Sequence, residues 1–438
     1  MRNPRRAPLP IELAAGGKLL TTSGGYRSVS PSATVARFRK HVSPLTGVVS
    51  RLERIEADVP LNANYYATHN FSAPARTIDE LRAGLSTGSF GKGSTAEQGE
   101  ASALMEAIER FSGVFQGDEI RTRKRFADFT AGEAVPPNDV LLFSEAQIGQ
   151  HAGLFDPSTK TEWTPVWSLR DKRFRCLPTA ILYFGYRGPS PHPADSNGCA
   201  AGNTFEEAVV QGFLELVERD AYAIWWYNML RRPEADLCGF SDPYIRDLQT
   251  LMAERGRRVW VLDVTTDLGI PAFVAIAHWL QDGRESIEFG SGAHFDPRMG
   301  VLRALTELNQ FLSIGLVRGG AGANVRLGGD GFRLEDHPYL IPDRTRAQDR
   351  FDSGFAKLDA REQVGACACL AEQAGLDFLV LDQTRPDIEV PVARVIVPGL
   401  RHFYRRFAPG RLYDVPVKLG LRTQPLPEQA LNPAHPRT

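Results

Sequence analysis

Two distant stretches of the chain carry the same order of polar and apolar positions. Ser102-Ala-Leu-Met-Glu106-Ala-Ile-Glu109-Arg110 and Gln211-Gly-Phe-Leu-Glu215-Leu-Val-Glu218-Arg219 both read polar-x-x-x-Glu-x-x-Glu-Arg. At about 100° of turn per residue, the leading polar group and both glutamates fall within roughly 60° of one another on a helix. Leu104, Ile108 and Phe111 occupy the opposite side in the first copy, as Phe213 and Val217 do in the second. The pattern therefore predicts two helices, each with a stripe of two carboxylates. An amphipathic helix with its glutamates in water satisfies one such pattern. Two features point elsewhere: the positions beside the stripes are small or apolar (Ala101, Ala103, Ala107; Val210, Gly212, Leu214), and the device occurs twice. Like charges held on a buried face are costly unless a cation or a proton neutralises them. Stripes that face one another offer oxygen-only ligation, which favours Mg²⁺ shared with phosphate oxygens.

Both predicted helices follow loops of small residues. Ser86 to Thr95 is a glycine-rich turn with Thr95 placed to cap the first helix and Glu97 in its first turn. Backbone N–H groups in such a loop can cradle a phosphate, with Lys92 adding charge, and a hinge reads equally well. It is not a Walker A loop, because Gly93 follows Lys92. Ser196 to Thr204 feeds the second helix, which runs to about Leu230, so loop and helix together suggest a duplicated core.

The remaining pattern is mostly strands. Alternating or continuous apolar runs predict strands at 164–168, 180–184, 258–263, 270–276, 378–382 and 390–397. Arg303, Glu307 and Gln310 recur at helical spacing and share a face. Residues 318–345, rich in Gly, Asp and Pro, read as a mobile excursion. The end from Thr423 carries Pro425, Pro427, Pro433 and Pro436 and reads as extended, with a turn near Glu428; such an end is ordinarily a disordered tag.

Composition narrows the function classes. Lys plus Arg number 51 and Asp plus Glu 52, so no charge bias indicates nucleic acid as a partner. Five scattered cysteines fit a reducing cytoplasm better than a disulfide framework, and Cys367-Ala-Cys369 lacks a second ligand pair for zinc. No long apolar run predicts a membrane span, and the basic start is followed by Pro8, Pro10 and Glu12, unlike a signal peptide.

The paired motifs carry a resemblance. From about residue 40 onward the chain resembles the YcaO superfamily, and within it the azoline-forming cyclodehydratases of thiazole/oxazole-modified microcin biosynthesis. Ser102-x3-Glu106-x2-Glu109-Arg110 matches the first family motif, and Glu207, Gln211, Glu215, Glu218 and Arg219 match the second, whose leading serine is Ala200 here. The resemblance implies an α+β YcaO-type fold of pseudo-duplicated mixed β-sheets flanked by helices, with an ATP site between the two glutamate helices. It implies ATP and Mg²⁺ as cofactors, with Glu106, Glu109, Glu215 and Glu218 holding Mg²⁺. Ser102, Arg110, Asn203, Glu207, Gln211, Arg219 and Arg303 would contact the nucleotide, joined by Lys92. Arg394 to Gly399 and Arg406 to Pro416 look like azoline-forming members, whose Pro-x-Pro-x-Pro tail brings a terminal carboxylate to the site. Here that tail keeps two prolines out of register, leaving His435 and the Thr438 carboxylate as candidates for proton transfer.

The expected organisation is a cap or interaction segment over 1–60, an ATP-binding catalytic domain over 61–422 and a proline-rich tail over 423–438. The implied reaction turns Cys, Ser or Thr of a ribosomal precursor peptide into a thiazoline or oxazoline. Thioamide or amidine formation, and a peptide-presenting scaffold without turnover, are the alternatives. Implied partners are the precursor peptide, a separate ThiF-like leader-binding protein, a flavin dehydrogenase as a further candidate, and a second copy in a homodimer.

Overall fold

The computed structural model describes residues 7–56, 58–73, 75, 77–85, 87–150, 158–188, 194–281, 283–317, 333–346 and 354–435. In chain order, a small hairpin, β1 (Leu20–Thr22) and β2 (Gly25–Arg27), leads to helix α1 (Pro31–Phe38). Strands β3 (Val49–Ile55) and β4 (Asn64–His69), helix α2 (Ile78–Leu85) and strand β5 (Gly88–Gly91) precede the first glutamate helix, α3 (Ala96–Ser112). Then come β6 (Thr122–Lys124), α4 (Pro137–Leu141), α5 (Glu145–Gln150), β7 (Thr161–Ser168), β8 (Arg173–Pro178) and β9 (Cys199–Ala201). The second glutamate helix is α6 (Phe205–Tyr227), followed by α7 (Pro243–Glu254), β10 (Arg258–Asp263), β11 (Ala272–Gln281), β12 (Arg284–Ala293) and α8 (Pro297–Val317). The chain closes with α9 (Ala360–Gln373), β13 (Leu379–Asp382), β14 (Val392–Ile396) and α10 (Arg411–Lys418).

Three sheets frame the two glutamate helices. α3 lies on the antiparallel sheet β3-β4-β5. α6 lies between β9-β14, at one end of the six-stranded sheet β6-β7-β13-β14-β9 with β8 on β7, and the three-stranded sheet β10-β11-β12. α8 covers β11 and β12. Every ladder among these strands is antiparallel, and three isolated bridges are parallel.

Both predicted helix starts form as the local chemistry directs. Thr95 and Thr204 are extended and accept from the backbone N–H groups of Gln98 (3.3 Å) and Glu207 (3.2 Å). Leu104 and Ile108 are fully enclosed against the β3-β4-β5 sheet, and Phe213 and Val217 against the main core. α6 is apolar nearly all round, with Tyr222, Trp225, Trp226 and Tyr227 enclosed at its C-terminal half, as a helix threaded through a core must be. The glutamate stripe breaks that apolar surface on the cavity side, and Asp220 breaks it elsewhere, paired with Arg411 at 2.6 Å.

Three local expectations are corrected. Residues 180–184 form no strand: the chain leaves β8 at Pro178 into a 3₁₀ turn over Thr179–Ile181. The Leu182 carbonyl instead accepts from side chains, Gln383 Nε2 at 3.0 Å and Arg394 Nη1 at 3.3 Å. Of the stretch expected to be mobile, 318–332 lie outside the described residues, whereas 334–340 form two tight turns packed on the core. There Trp225 and Trp260 donate to the carbonyls of Tyr339 (3.2 Å) and Leu340 (2.8 Å). Nor is the proline-rich end loose up to His435. Asn432 is buried, donates its backbone N–H to Tyr227 O at 2.8 Å and its amide to Tyr339 Oη at 3.0 Å, and Trp226 Nε1 donates to Ala434 O at 2.8 Å.

Candidate functional site

α3 and α6 turn their stripes into one cavity of about 580 Å³. That is within the usual range for a small-molecule site. Ser102, Glu106, Glu109 and Arg110 line it from α3, and Glu207, Gln211, Glu215, Glu218 and Arg219 from α6. Asn203 enters from the loop before α6, Lys92 from the glycine-rich loop and Arg303 from α8. These sequence-predicted residues thus meet at one place. His435 does not line the cavity, and Thr438 lies outside the described residues.

The sequence duplication persists in the side-chain geometry. Arg110 sits 3.2 Å from Glu106 and 3.6 Å from Glu109; Arg219 sits 3.5 Å from Glu215 and 3.7 Å from Glu218. Each stripe therefore brings one guanidinium for two carboxylates and keeps a surplus of negative charge. Burial pushes the Glu109 carboxyl well above its ordinary value against the pull of Arg110, and Glu215 and Glu106 push it further. Glu215 is likewise raised, by burial first, against Arg219 and Arg110. The carboxylates are anchored from their far sides: Gly198 N donates to Glu215 at 3.1 Å, and Ser291 Oγ to Glu218 at 2.6 Å.

Next along α6 is a cluster of opposite sign. Arg27 and Arg303 both donate to Gln211 Oε1, at 3.2 and 2.6 Å. Burial, and then Arg27, lower the Arg303 pKa to about 9. Arg27 comes from the β1-β2 hairpin, which the sequence reading left as a polar arm with no assigned chemistry. At the α6 N-terminus, Glu207 accepts from Ser28 N and from Asn203 N (3.0 Å), while Asn203 Oδ1 accepts from Thr34 Oγ1 at 3.1 Å. Asn203 and Glu207 thereby tie the N-terminal segment to the cavity wall.

At the other end, Lys92 Nζ pairs with Glu307 at 3.1 Å. Phe403 forms part of the rim, with the Arg219 guanidinium over its ring at 4.7 Å. Exposed His435 reaches this rim from outside, its ring 5.8 Å from Tyr404 and 6.5 Å from Phe403. Behind the rim, Arg394 and Arg406 both lie 3.5 Å from the Asp195 carboxylate.

The sequence pattern of the YcaO cyclodehydratase family, described as ATP- and Mg²⁺-binding, matches residues 90–401. The chain belongs to this family. A solved heterocyclase in complex with substrate and cofactor has a TM-score of 0.86 and 43% identity, covering 97% of this chain and 59% of that one. The heterocyclase TruD has a TM-score of 0.74 and 38% identity, covering 98% of this chain and 55% of that one. An uncharacterised protein of Methanothermobacter thermautotrophicus is 29% identical over 86% of this chain and 95% of its own. The chain thus spans little more than half the length of the two heterocyclases and nearly all of that relative. The family's described ligands are ATP and Mg²⁺.

The donor set fits that pair. Among the described residues, no three His, Cys, Asp or Glu side chains stand close enough to hold a metal ion by themselves. Mg²⁺ takes one or two carboxylates together with phosphate oxygens, so stripes set apart with phosphate between them suit it. Arg27, Ser291 and Phe403 are among the cavity residues that sequence reasoning missed. Arg27 lies outside the residues that the family pattern matches, and its partner Gln211 is 184 positions away.

Proposed function

We propose that this YcaO protein forms azolines in a ribosomally made precursor peptide at the expense of ATP. The observation that carries the reading is the facing pair of glutamate stripes beside a two-arginine cluster, in one cavity of about 580 Å³. Glu106, Glu109, Glu215 and Glu218 would hold Mg²⁺, which when bound neutralises charge on the phosphate chain. Arg27 and Arg303 would hold phosphate oxygens, and the crowding of two half-buried guanidiniums is relieved when an anion lies between them. Ser102, Asn203, Glu207 and Gln211 shape the nucleotide end, and Arg110 and Arg219 hold the glutamates in register.

The reaction joins the peptide's own atoms. A Cys, Ser or Thr side chain attacks the preceding backbone carbonyl carbon, and the carbonyl oxygen becomes the oxygen of a hemiorthoamide. That oxygen takes the γ-phosphoryl group, releasing ADP. Loss of phosphate, with the amide proton leaving, forms the C=N bond of the ring; the oxygen atom departs in phosphate. A base is needed for the side-chain and amide protons. The tail supplies the candidates, since His435 stands at the Phe403 rim and Thr438 follows it. The precursor peptide, a separate leader-binding protein and a second copy of the chain are the partners this reading calls for.

Glu106→Gln tests the carboxylate assignment. The variant should lose ATP consumption while its thermal unfolding stays at the parental temperature, because Glu106 is a half-buried cavity residue whose side chain pairs with Arg110 on the same helix, a bond that a glutamine oxygen can still accept. Parental ATP turnover by the variant overturns the assignment.

A further inference from the structure

Glu307 and Gln310 share the α8 face of Arg303, line the cavity, and have no part in the scheme above. Their surroundings differ from those of Arg303 in charge. Lys92 is neutralised by Glu307 at 3.1 Å, and Glu307 also accepts from Ser291 N at 3.3 Å. Ser291 Oγ in turn holds Glu218, so this end of α8 meets the far end of the α6 stripe. Arg303 lies beside Gln211, seven positions before Glu218, and Gln310 lies seven positions after Arg303. At 1.5 Å per residue, the two helices run the same way past the cavity, and Gln310 stands about 10 Å along from the two-arginine cluster.

Gln310 is 94% buried by its 6% relative exposure, and its amide nitrogen Nε2 has no hydrogen-bond partner among the described residues. A buried N–H without an acceptor is costly, so such a group in a cavity wall marks where a ligand oxygen belongs. Which oxygen follows from charge. A phosphate seeks cations that crowd one another, which are at the Arg27–Arg303 end; here Lys92 is paired with Glu307, and Arg219 with Glu215 and Glu218. A neutral acceptor suits an end whose cations are all paired with carboxylates.

We propose that Gln310 binds a backbone carbonyl of the acceptor peptide, making the Lys92–Glu307–Gln310 end the peptide half of the cavity. Glu307 acts through its neighbours: it pairs Lys92 and fixes Ser291, so that Lys92 is not free to draw a phosphate there. The inference rests on the peptide-modifying reading and adds the location of the second reactant.

The test uses Gln310→Met, which keeps the length of the side chain and removes its hydrogen bonds, and a short synthetic peptide with one central cysteine, capped at both ends and supplied in excess. Peptide-dependent ATP consumption gives KM for the peptide, and calorimetry gives the affinity for Mg-ADP. The expected result is a peptide KM raised about tenfold, the worth of one neutral hydrogen bond, with Mg-ADP affinity at the parental value. An unchanged peptide KM, or a loss of Mg-ADP affinity, overturns the inference and leaves the azoline reading standing. A parent protein that consumes no ATP with the peptide when its leader-binding partner is also present overturns that reading and this inference together.

Discussion

Arg27 and Arg303 donate to the same oxygen of Gln211, although one comes from the N-terminal hairpin and the other from α8. Two half-buried cations converging on one neutral amide repel each other, so the arrangement favours an arriving anion. Arg27→Met should weaken Mg-ADP binding roughly 10- to 100-fold, the worth of one charged hydrogen bond, without lowering the unfolding temperature. Calorimetric titration checks it; parental affinity would remove Arg27 from the nucleotide site.

Nucleotide binding should release protons. Burial raises both Glu109 and Glu215 above the ordinary carboxylate value of 4.5. A raised carboxyl keeps its proton to higher pH in the ligand-free protein, whereas a divalent cation requires the carboxylate. Mg-ADP affinity should therefore rise with pH through the raised values, with net proton release. The same shifts make the ligand-free fold lose stability as pH rises through that window, because the folded form binds the proton more tightly than the unfolded chain. Titrations in two buffers of different ionisation enthalpy measure the released protons.

The close approach of α6 to the loop before it depends on Gly212. A Cβ there would stand 2.5 Å from Gly198 O and 3.0 Å from Val395 Cγ2. Gly198 itself has φ +78 and is pressed against Val395 O, so it cannot yield by taking another conformation readily. Gly212→Ala should cost about 1–3 kcal/mol and loosen the Gly198 N–Glu215 bond. Urea unfolding measures the loss, and weaker Mg-ADP binding should accompany it.

The tail is fastened by Asn432, whose amide reaches Tyr339 Oη at 3.0 Å and Trp226 O at 3.3 Å. Asn432→Ala strands buried polar groups and should cost about 1–3 kcal/mol. Protease cleavage after residue 422 should quicken in the variant. If the tail supplies the base, ring formation slows while Mg-ADP affinity is kept.

The glutamate helices were legible because their information is local: a threonine cap, a repeated polar spacing and apolar residues on the far side. The strand misread at 180–184 has the composition of a strand, but Pro178 and the side-chain partners of Leu182 decide otherwise, and those partners are some 200 positions away. Arg27 was hidden for the same reason. Nothing near it in sequence marks it, and only the packing of the hairpin onto α6 brings it to Gln211. The docked tail follows from Trp226, Tyr227 and Tyr339, whose polar atoms cannot be matched to Asn432 and Ala434 without the fold.

The central claim is tested most directly by mass spectrometry of a cysteine-containing precursor peptide incubated with the protein, its leader-binding partner, ATP and Mg²⁺. The expected product has lost one water per modified residue, in step with ADP release, and Glu109→Gln yields none. A product in which sulfur has replaced oxygen, or water loss that persists without ATP, would contradict the account.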